Sequence, residues 1–342
     1  MATLSEVAKM AGVTTATVSN VLRNPSKVKP STIKRVKAAL AATGYRPNLM
    51  ARALSEGKSS MVAIVVPNIV NPYYPEFVRI AERVARQRKY FLMVCNTDEQ
   101  AEIGRAYIKQ ISGTLADGVL VLHTGISATE ILELRGGRRS PLVLASVETT
   151  DFPDSVPQVV VDFRLAGKIA GQHLIELGHR QIGVIVGNGC DGTHSLRLEG
   201  FQDALADAGV GPDHRDVGYV LDSIAGGYQT VCELIEANPA LTAIYATNDL
   251  LAYGATQALA DRGIAVPEAM SIVGVTNIQL TQEMRPPLTT VSLEEVATAS
   301  VNLLLDMIED PEHQPTLVRV SDPQLIVRQS TARVRRRQLK RV

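Results

Sequence analysis

The spacing of apolar residues changes character along the chain, and each change marks an element. Leu4, Val7, Ala8 and Ala11 recur at i, i+3, i+4 and i+7, the stripe of a short amphipathic helix. Gly12 interrupts that stripe, and Thr14 is placed to cap a second helix by accepting its first N–H groups. In the second helix Val18, Val21 and Leu22 face inward. Thr15, Ala16, Thr17, Ser19, Asn20 and Arg23 remain outside, nearly all of them small or polar. A turn-rich NPSKVKP follows. Ser31 then caps a third helix, which carries Ile33, Val36 and Leu40 on one side and closes near Gly44. These three helices make a small bundle that presents the second one. Pro47 stops the third helix, Asn48 can cap another, and Leu49 to Glu56 is helix-forming sequence closed by Gly57. So short a helix does not persist alone in water. Its apolar residues Leu49, Met50, Ala53 and Leu54 have no partner inside the head.

From Met61 short apolar runs alternate with helical segments. The runs at 61–66, 90–95, 118–122 and 142–145 predict buried parallel strands, with helices near 75–89, 99–113 and 127–135. A second series follows VVVD (159–162). Its strands are predicted at 182–186, 217–221, 243–246 and 271–275, with helices near 163–177, 195–208, 226–237 and 248–262. Two βα series of similar size predict an α/β protein with two doubly wound lobes. After Thr290 come one helix, about 293–308, and short strands near 316–320 and 324–328. Such pieces suit two lobes that exchange terminal segments. The predicted boundaries are a head at 1–46, a hinge helix and linker at 47–59, a core at 60–330 and a basic tail at 331–342. Within the core one lobe takes about 60–161 and 292–320, the other about 162–291 and 321–330.

Composition adds limits. The chain has 342 residues, 45% of them hydrophobic, enough for a large core and more than one domain. No apolar run approaches a membrane span and the N-terminus lacks a signal segment, so a soluble cytoplasmic protein is expected. Cys95, Cys190 and Cys232 are far apart and in no CxxC, which suggests neither a disulfide framework nor zinc. No metal and no cofactor are expected. The net charge of zero conceals +8 over residues 1–60 and six uncompensated bases in the last ten, leaving −14 between them. A basic head on an acidic body suits a polyanion as partner of the head.

Two helices joined by a Gly-containing turn, the second displaying short hydrogen-bonding side chains, describe a helix-turn-helix able to meet base edges in the major groove. Lys27 and Lys29 are placed to touch phosphates. The segments TLSEVAKMAGVTTATVSNVLRN, GYRPN and ARAL closely resemble the DNA-binding head and hinge of the LacI/GalR (lactose-repressor/purine-repressor) family of bacterial transcription factors. LGHRQIGVI, RLEGF, TNDLLAYGA and PPLTTV extend the likeness to that family's periplasmic-binding-protein-like core. The resemblance implies base readout by Thr15, Ala16 and Asn20 and a minor-groove wedge by Leu54. With Thr17, Ser19, Lys29, Asn48 and Arg52 these form the predicted DNA-contacting set. It further implies a homodimer on a pseudo-palindromic operator, repression as the usual mode, and control by a small metabolite. Ala16, Asn20 and Ser55 depart from well-known members, several of which carry larger or charged side chains there.

In parallel α/β lobes, ligands gather at the carboxyl ends of the strands. That rule selects the loops after residues 66, 122, 187, 221, 246 and 275. They offer Tyr73 and Tyr74, whose faces and hydroxyls suit sugar rings or planar bases. They also offer His123, Asp191, Thr193, Arg197, Asn248, Asp249, Thr276 and Asn277. Asp249 reads as a structural cap, and a lone His such as His123 is more often structural than ligand-binding. By the resemblance, Tyr73, Tyr74, Asp191, Thr193, Arg197, Asn248 and Thr276 fall on effector-contacting positions. Thr276 stands where many sugar-responding relatives have Asp, which leaves a pentose, a sugar acid or another small polar metabolite open. One competing reading is an NAD(P)-dependent oxidoreductase, because Gly187, Gly189 and Gly192 spell GxGxxG after a strand. The acidic residue expected about twenty positions on is missing.

Overall fold

The computed structural model describes residues 2–45, 58–112, 114–122, 125–126, 128–135, 140–147, 156–187, 192–211, 216–293, 295–310, 312 and 317–334. The chain separates into two compact units, residues 1–59 and 60–342.

In the first unit, α1 (Leu4–Ala11) begins with a reciprocal capping box. Glu6 N donates to Thr3 Oγ1 at 3.3 Å and Thr3 N donates to Glu6 Oε2 at 2.8 Å. Gly12, at φ +63°, closes the helix in the left-handed region that glycine tolerates. Thr14 caps α2 (Thr15–Arg23), accepting from Thr17 N at 3.2 Å. Val7, Val18 and Val36 are fully buried and, with Ala8, Ala11, Val21 and Ala39, form the core of the head. Two expectations need correction. Leu22 is 39% exposed, because α2 is only nine residues long and Val18 and Val21 fill its contact with α1 and α3. Ser31 does not cap α3 (Pro30–Thr43): Pro30 occupies the first turn, its missing N–H needs no partner, and Lys29 takes the cap position. The helix predicted at 49–56 lies outside the described residues, as do Pro47, Asn48, Arg52 and Leu54.

The second unit holds two six-stranded sheets. The first contains β1 (Met61–Val66), β2 (Phe91–Asn96), β3 (Gly118–Leu122), β4 (Leu142–Val147), β5 (Gln158–Val160) and β11 (Leu317–Arg319), in the order β11-β5-β4-β3-β1-β2 and parallel throughout. The second contains β6 (Ile182–Gly187), β7 (Val217–Val220), β8 (Ala243–Ala246), β9 (Ser271–Thr276), β10 (Thr289–Ser292) and β12 (Gln324–Ile326), in the order β12-β10-β9-β8-β6-β7. Only the β10–β12 pairing in it is antiparallel among the described residues. The chain therefore passes between lobes after β5, after β10 and again after β11. The helices that matter below are α4 (Tyr73–Gln87), α5 (Ala101–Ile111), α6 (Ala128–Arg135), α7 (Phe163–Glu176), α8 (Thr193–Asp207), α9 (Ile224–Ala237), α10 (Asp249–Asp261), α11 (Leu280–Glu283) and α12 (Glu295–Glu309). α12 belongs to the first lobe, where Leu304 and Ile308 lie against Gly118 of β3.

Four strands differ from expectation. β2 and β7 are sheet edges, so Phe91, Val94 and Tyr219 are 61%, 43% and 69% exposed instead of buried on both faces. VVVD supplies β5 of the first sheet, and the second series begins with α7. β10 was not foreseen because TTVS reads as half polar; all four residues are buried, and the Thr290 hydroxyl donates to the buried Asp249 carboxylate.

Helix packing in the second lobe is unusually close. A Cβ on Gly167 of α7 would come 1.8 Å from the Arg197 carbonyl oxygen, and one on Gly200 of α8 would come 1.7 Å from that of Arg164. The same reciprocal device joins α9 and α10 through Gly227 and Gly254. Backbone-to-backbone contact fixes where α8 holds Arg197. We expect Gly167→Ala to force α7 and α8 apart, at a cost of about 1–3 kcal/mol typical of overpacking, with weaker ligand binding. An unchanged thermal midpoint would contradict the close contact.

Candidate functional site

The head offers one polar surface. Thr15, Ala16 and Asn20 are exposed on α2, whereas Thr17 and Ser19 are half-buried. Thr17 is partly engaged at the helix cap, its hydroxyl 3.0 Å from that of Thr14. Lys29 is exposed at the start of α3. The outward face of α2 carries no acidic residue, so a phosphodiester backbone meets no like charge there.

In the second unit a cleft of about 290 Å³ opens between the lobes at the carboxyl ends of β1, β7, β8 and β9. Six sequence candidates line it: Tyr73, Tyr74, Thr193, Arg197, Asn248 and Thr276. His123 and Asp191 lie outside the described residues. Tyr73 and Tyr74 open α4 and pack edge to face, with centroids 5.3 Å apart. Arg197 is 5% exposed. Its Nη1 donates to the Thr247 carbonyl at 2.9 Å, and its Cζ lies 4.9 Å from the centroid of the Phe163 ring. Its Nε is buried without a hydrogen-bond partner.

Sequence reasoning missed the carboxylate at the centre of the cleft. Asp222 follows β7, and its oxygens accept from both lobes: Oδ2 from Asn71 Nδ2 at 2.9 Å and Oδ1 from Asn248 Nδ2 at 2.5 Å. Burial pushes its carboxyl above the ordinary range, while the Asn248 bond and the Arg197 charge pull it back. His194 was missed too. Its Nδ1 sits 2.7 Å from Thr247 Oγ1 and its Nε2 3.9 Å from Asp222 Oδ2. Asp222 carries no motif, because its importance comes from a loop after an edge strand meeting Asn71 of the other lobe, 151 residues away. His194 had a signal: a Cβ on Gly187 would come 2.6 Å from the His194 ring, so that glycine makes room for the imidazole. That accounts for the first glycine of GxGxxG without a dinucleotide. Gly189 lies outside the described residues, and Gly192 precedes α8 at φ +76°.

Asp249 is not the cap it was expected to be. Asn248 caps α10, accepting from Leu251 N at 2.9 Å. Asp249, 1% exposed, instead ties three segments together. It accepts from Thr290 Oγ1 of β10 at 2.5 Å, from Thr276 Oγ1 at 3.0 Å and from Ile278 N at 3.0 Å. Thr276 thus lines the cleft while its hydroxyl hydrogen is committed inward. Thr276 and the next residue, Asn277, hold positive φ of 112° and 54°, a strained turn that this carboxylate anchors. Burial pushes the Asp249 carboxyl up to about 7, against the lowering effect of its hydrogen bonds. Among the described residues no group of three His, Cys, Asp or Glu could hold a metal ion, and no helix is long and apolar enough to cross a membrane.

Comparison with known proteins matches residues 3–48 to the family model described as bacterial regulatory proteins, lacI family, and residues 172–331 to the periplasmic binding protein-like domain. The chain is 34% identical to the HTH-type transcriptional regulator DegA of Bacillus subtilis, over 85% of this chain and 86% of that protein. It is 32% identical to the HTH-type transcriptional repressor PurR of Actinobacillus pleuropneumoniae, over 96% and 98%. Among solved structures, the complex of the transcriptional regulator CelR with cellobiose superposes with a TM-score of 0.70 at 28% identity, covering 96% of this chain and 100% of that one.

A folded-state pKa raised for Asp249 means that the native form holds the proton more tightly than the unfolded chain. Its stabilisation is complete below pH 4 and is lost as pH climbs to about 7. Asp249→Asn cannot titrate. The stability of wild type relative to this variant should therefore fall by roughly 4 kcal/mol between pH 4 and 7 and stay level above. Chemical denaturation across that range measures it; a level difference throughout would show that the hydrogen bonds outweigh burial.

Proposed function

The chain belongs to the lacI family of bacterial regulatory proteins, and it is therefore a DNA-binding transcriptional regulator under effector control, not an enzyme. From that premise we propose the following mechanism. Two copies pair, and each places α2 in the major groove of one half of a pseudo-palindromic operator. Thr15, Ala16 and Asn20 read base edges; Thr17, Ser19, Lys29, Asn48 and Arg52 hold the backbone, and Leu54 wedges into a central minor-groove step. The DNA-binding head spans residues 1–46, the hinge 47–59 and the effector-binding core 60–330.

A small polyhydroxylated metabolite of the sugar or sugar-acid class occupies the interlobe cleft. Tyr73 and Tyr74 pack against its ring, and Arg197, Asn248, Thr193 and Thr276 border it, with His123 and Asp191 assigned to the same site. The observation that carries this reading is the cleft itself, where Tyr73 and Tyr74 of one lobe meet Arg197 and Asn248 of the other. A relative whose structure holds cellobiose, CelR, adds support for a sugar. Ligand binding shifts the lobe arrangement by its differential affinity for the two forms, and operator binding shifts with it. Repression is the proposed mode.

The test is operator binding by gel shift against ligand concentration. Arg197→Ala should retain operator affinity and lose the ligand response; a normal response would remove Arg197 from the site. Leu54→Gly should weaken operator binding 10-fold or more, on the scale of a lost minor-groove wedge, with the fold intact. Unchanged affinity would remove the wedge.

A further inference from the structure

The effector class left open above is narrowed by the charges that line the cleft. Among the described residues that line the cleft, Asp222 and Glu99 are acidic and Arg197 is basic. His194 Nε2, 3.9 Å from Asp222, adds positive charge only when protonated. Before any ligand enters, the cleft therefore leans negative.

Asp222 is held rigidly at its centre. The Asp222 side chain is 21% exposed, and its two oxygens are gripped by carboxamides from opposite lobes, Asn71 and Asn248. Both donors are neutral, so they orient the carboxylate without cancelling its charge. Glu99, on the loop after β2, adds its own field and makes the Asp222 charge harder to keep. Glu99 is itself fixed there, accepting from Asn68 Nδ2 at 3.0 Å. A carboxylate on the ligand would add a further negative charge to a narrow, partly desolvated cleft, and like charges so placed are a strong means of rejection. A sugar hydroxyl, by contrast, can donate a charge-assisted hydrogen bond to Asp222 and offer its oxygen to the guanidinium of Arg197, which lines the same cleft.

We infer that Asp222 is the specificity-determining residue of the cleft, admitting uncharged polyhydroxylated ligands and excluding those that bear a carboxylate. This rests on the reading of the cleft as a sugar-type effector site. It also places the selective acid on the loop after β7, whereas Thr276 has its hydroxyl committed to Asp249. Because the same carboxylate receives Asn71 from the opposite lobe, a ligand hydroxyl that reaches it acts on a contact between lobes.

Isothermal titration of the full-length protein with matched pairs tests it: D-glucose with D-glucuronate, D-galactose with D-galacturonate, and cellobiose as a larger neutral probe. In wild type the neutral member of a pair should bind at least 10-fold more tightly than its acid. Asp222→Asn, which keeps shape and one acceptor, should narrow that ratio at least 10-fold, and Asp222→Ser should do the same if the first variant is poorly folded by circular dichroism. Tighter binding of the acid by wild type, or an unchanged ratio in the folded variant, overturns the role of Asp222 alone. Binding that persists in Arg197→Ala, or no binding by any probe, overturns the sugar-site reading itself and the inference with it.

Discussion

A ligand can move this protein only through bonds that cross the gap between its lobes. Asn71 to Asp222 is one such bond, and Glu76, which accepts from the backbone N–H of Gln279 at 2.8 Å, is another. Both begin on or beside the first turns of α4, and both end on loops at the carboxyl ends of second-lobe strands. Both are polar, but only the Asn71–Asp222 bond lines the cleft that a ligand fills; Glu76 and Gln279 line a neighbouring groove. A molecule in the cleft competes with the Asn71–Asp222 bond or reinforces it, so its binding energy enters the lobe equilibrium directly. The rest of the core makes that small set decisive by being rigid elsewhere. The glycine-mediated contacts of α7 with α8 and α9 with α10 leave the second lobe no slack, and Arg197, Asn248 and Asp249 ride on those helices.

The passages of chain between lobes have a polar spine of their own. Thr290 of β10 donates to Asp249, and the strained Thr276–Asn277 turn is pinned by the same carboxylate. Arg328, just beyond β12, donates to Asn277 Oδ1 at 2.7 Å and to the Leu288 carbonyl at 2.7 Å. Buried polar clusters of this kind hold one geometry well and tolerate half-satisfied intermediates badly. They favour discrete lobe arrangements over a continuum, which is what a switch needs.

Much of this was legible beforehand because periodicity reports burial. The α1 stripe, the Gly12 break and the Thr14 cap required only local chemistry, and most of the parallel strands announced themselves as apolar runs. The errors have two sources: local competition, as where Pro30 and Lys29 displaced Ser31 at the start of α3, and partners distant in sequence. β10 looked polar because its Thr290 satisfies a carboxylate forty-one residues away. β2 looked central because edge position is a property of strand order, not of composition. Asp249 looked like a cap, since an acid at a helix start is the commonest cap pattern, yet its neighbour Asn248 holds that place. Six cleft residues were found by the rule that ligands gather at strand ends. Asp222 escaped because no spacing relates it to Asn71, which it meets from the other lobe, and His194 because its one signal, Gly187, reads equally as part of GxGxxG.

Coupling between two sites is reciprocal, and that gives the most direct test. Operator affinity is measured with and without a saturating effector, and effector affinity is measured with and without saturating operator. The account predicts that the two ratios are equal and differ from one by at least fivefold, the lower end of ordinary allosteric coupling. Ratios of one in both directions, with both ligands demonstrably bound, would contradict it.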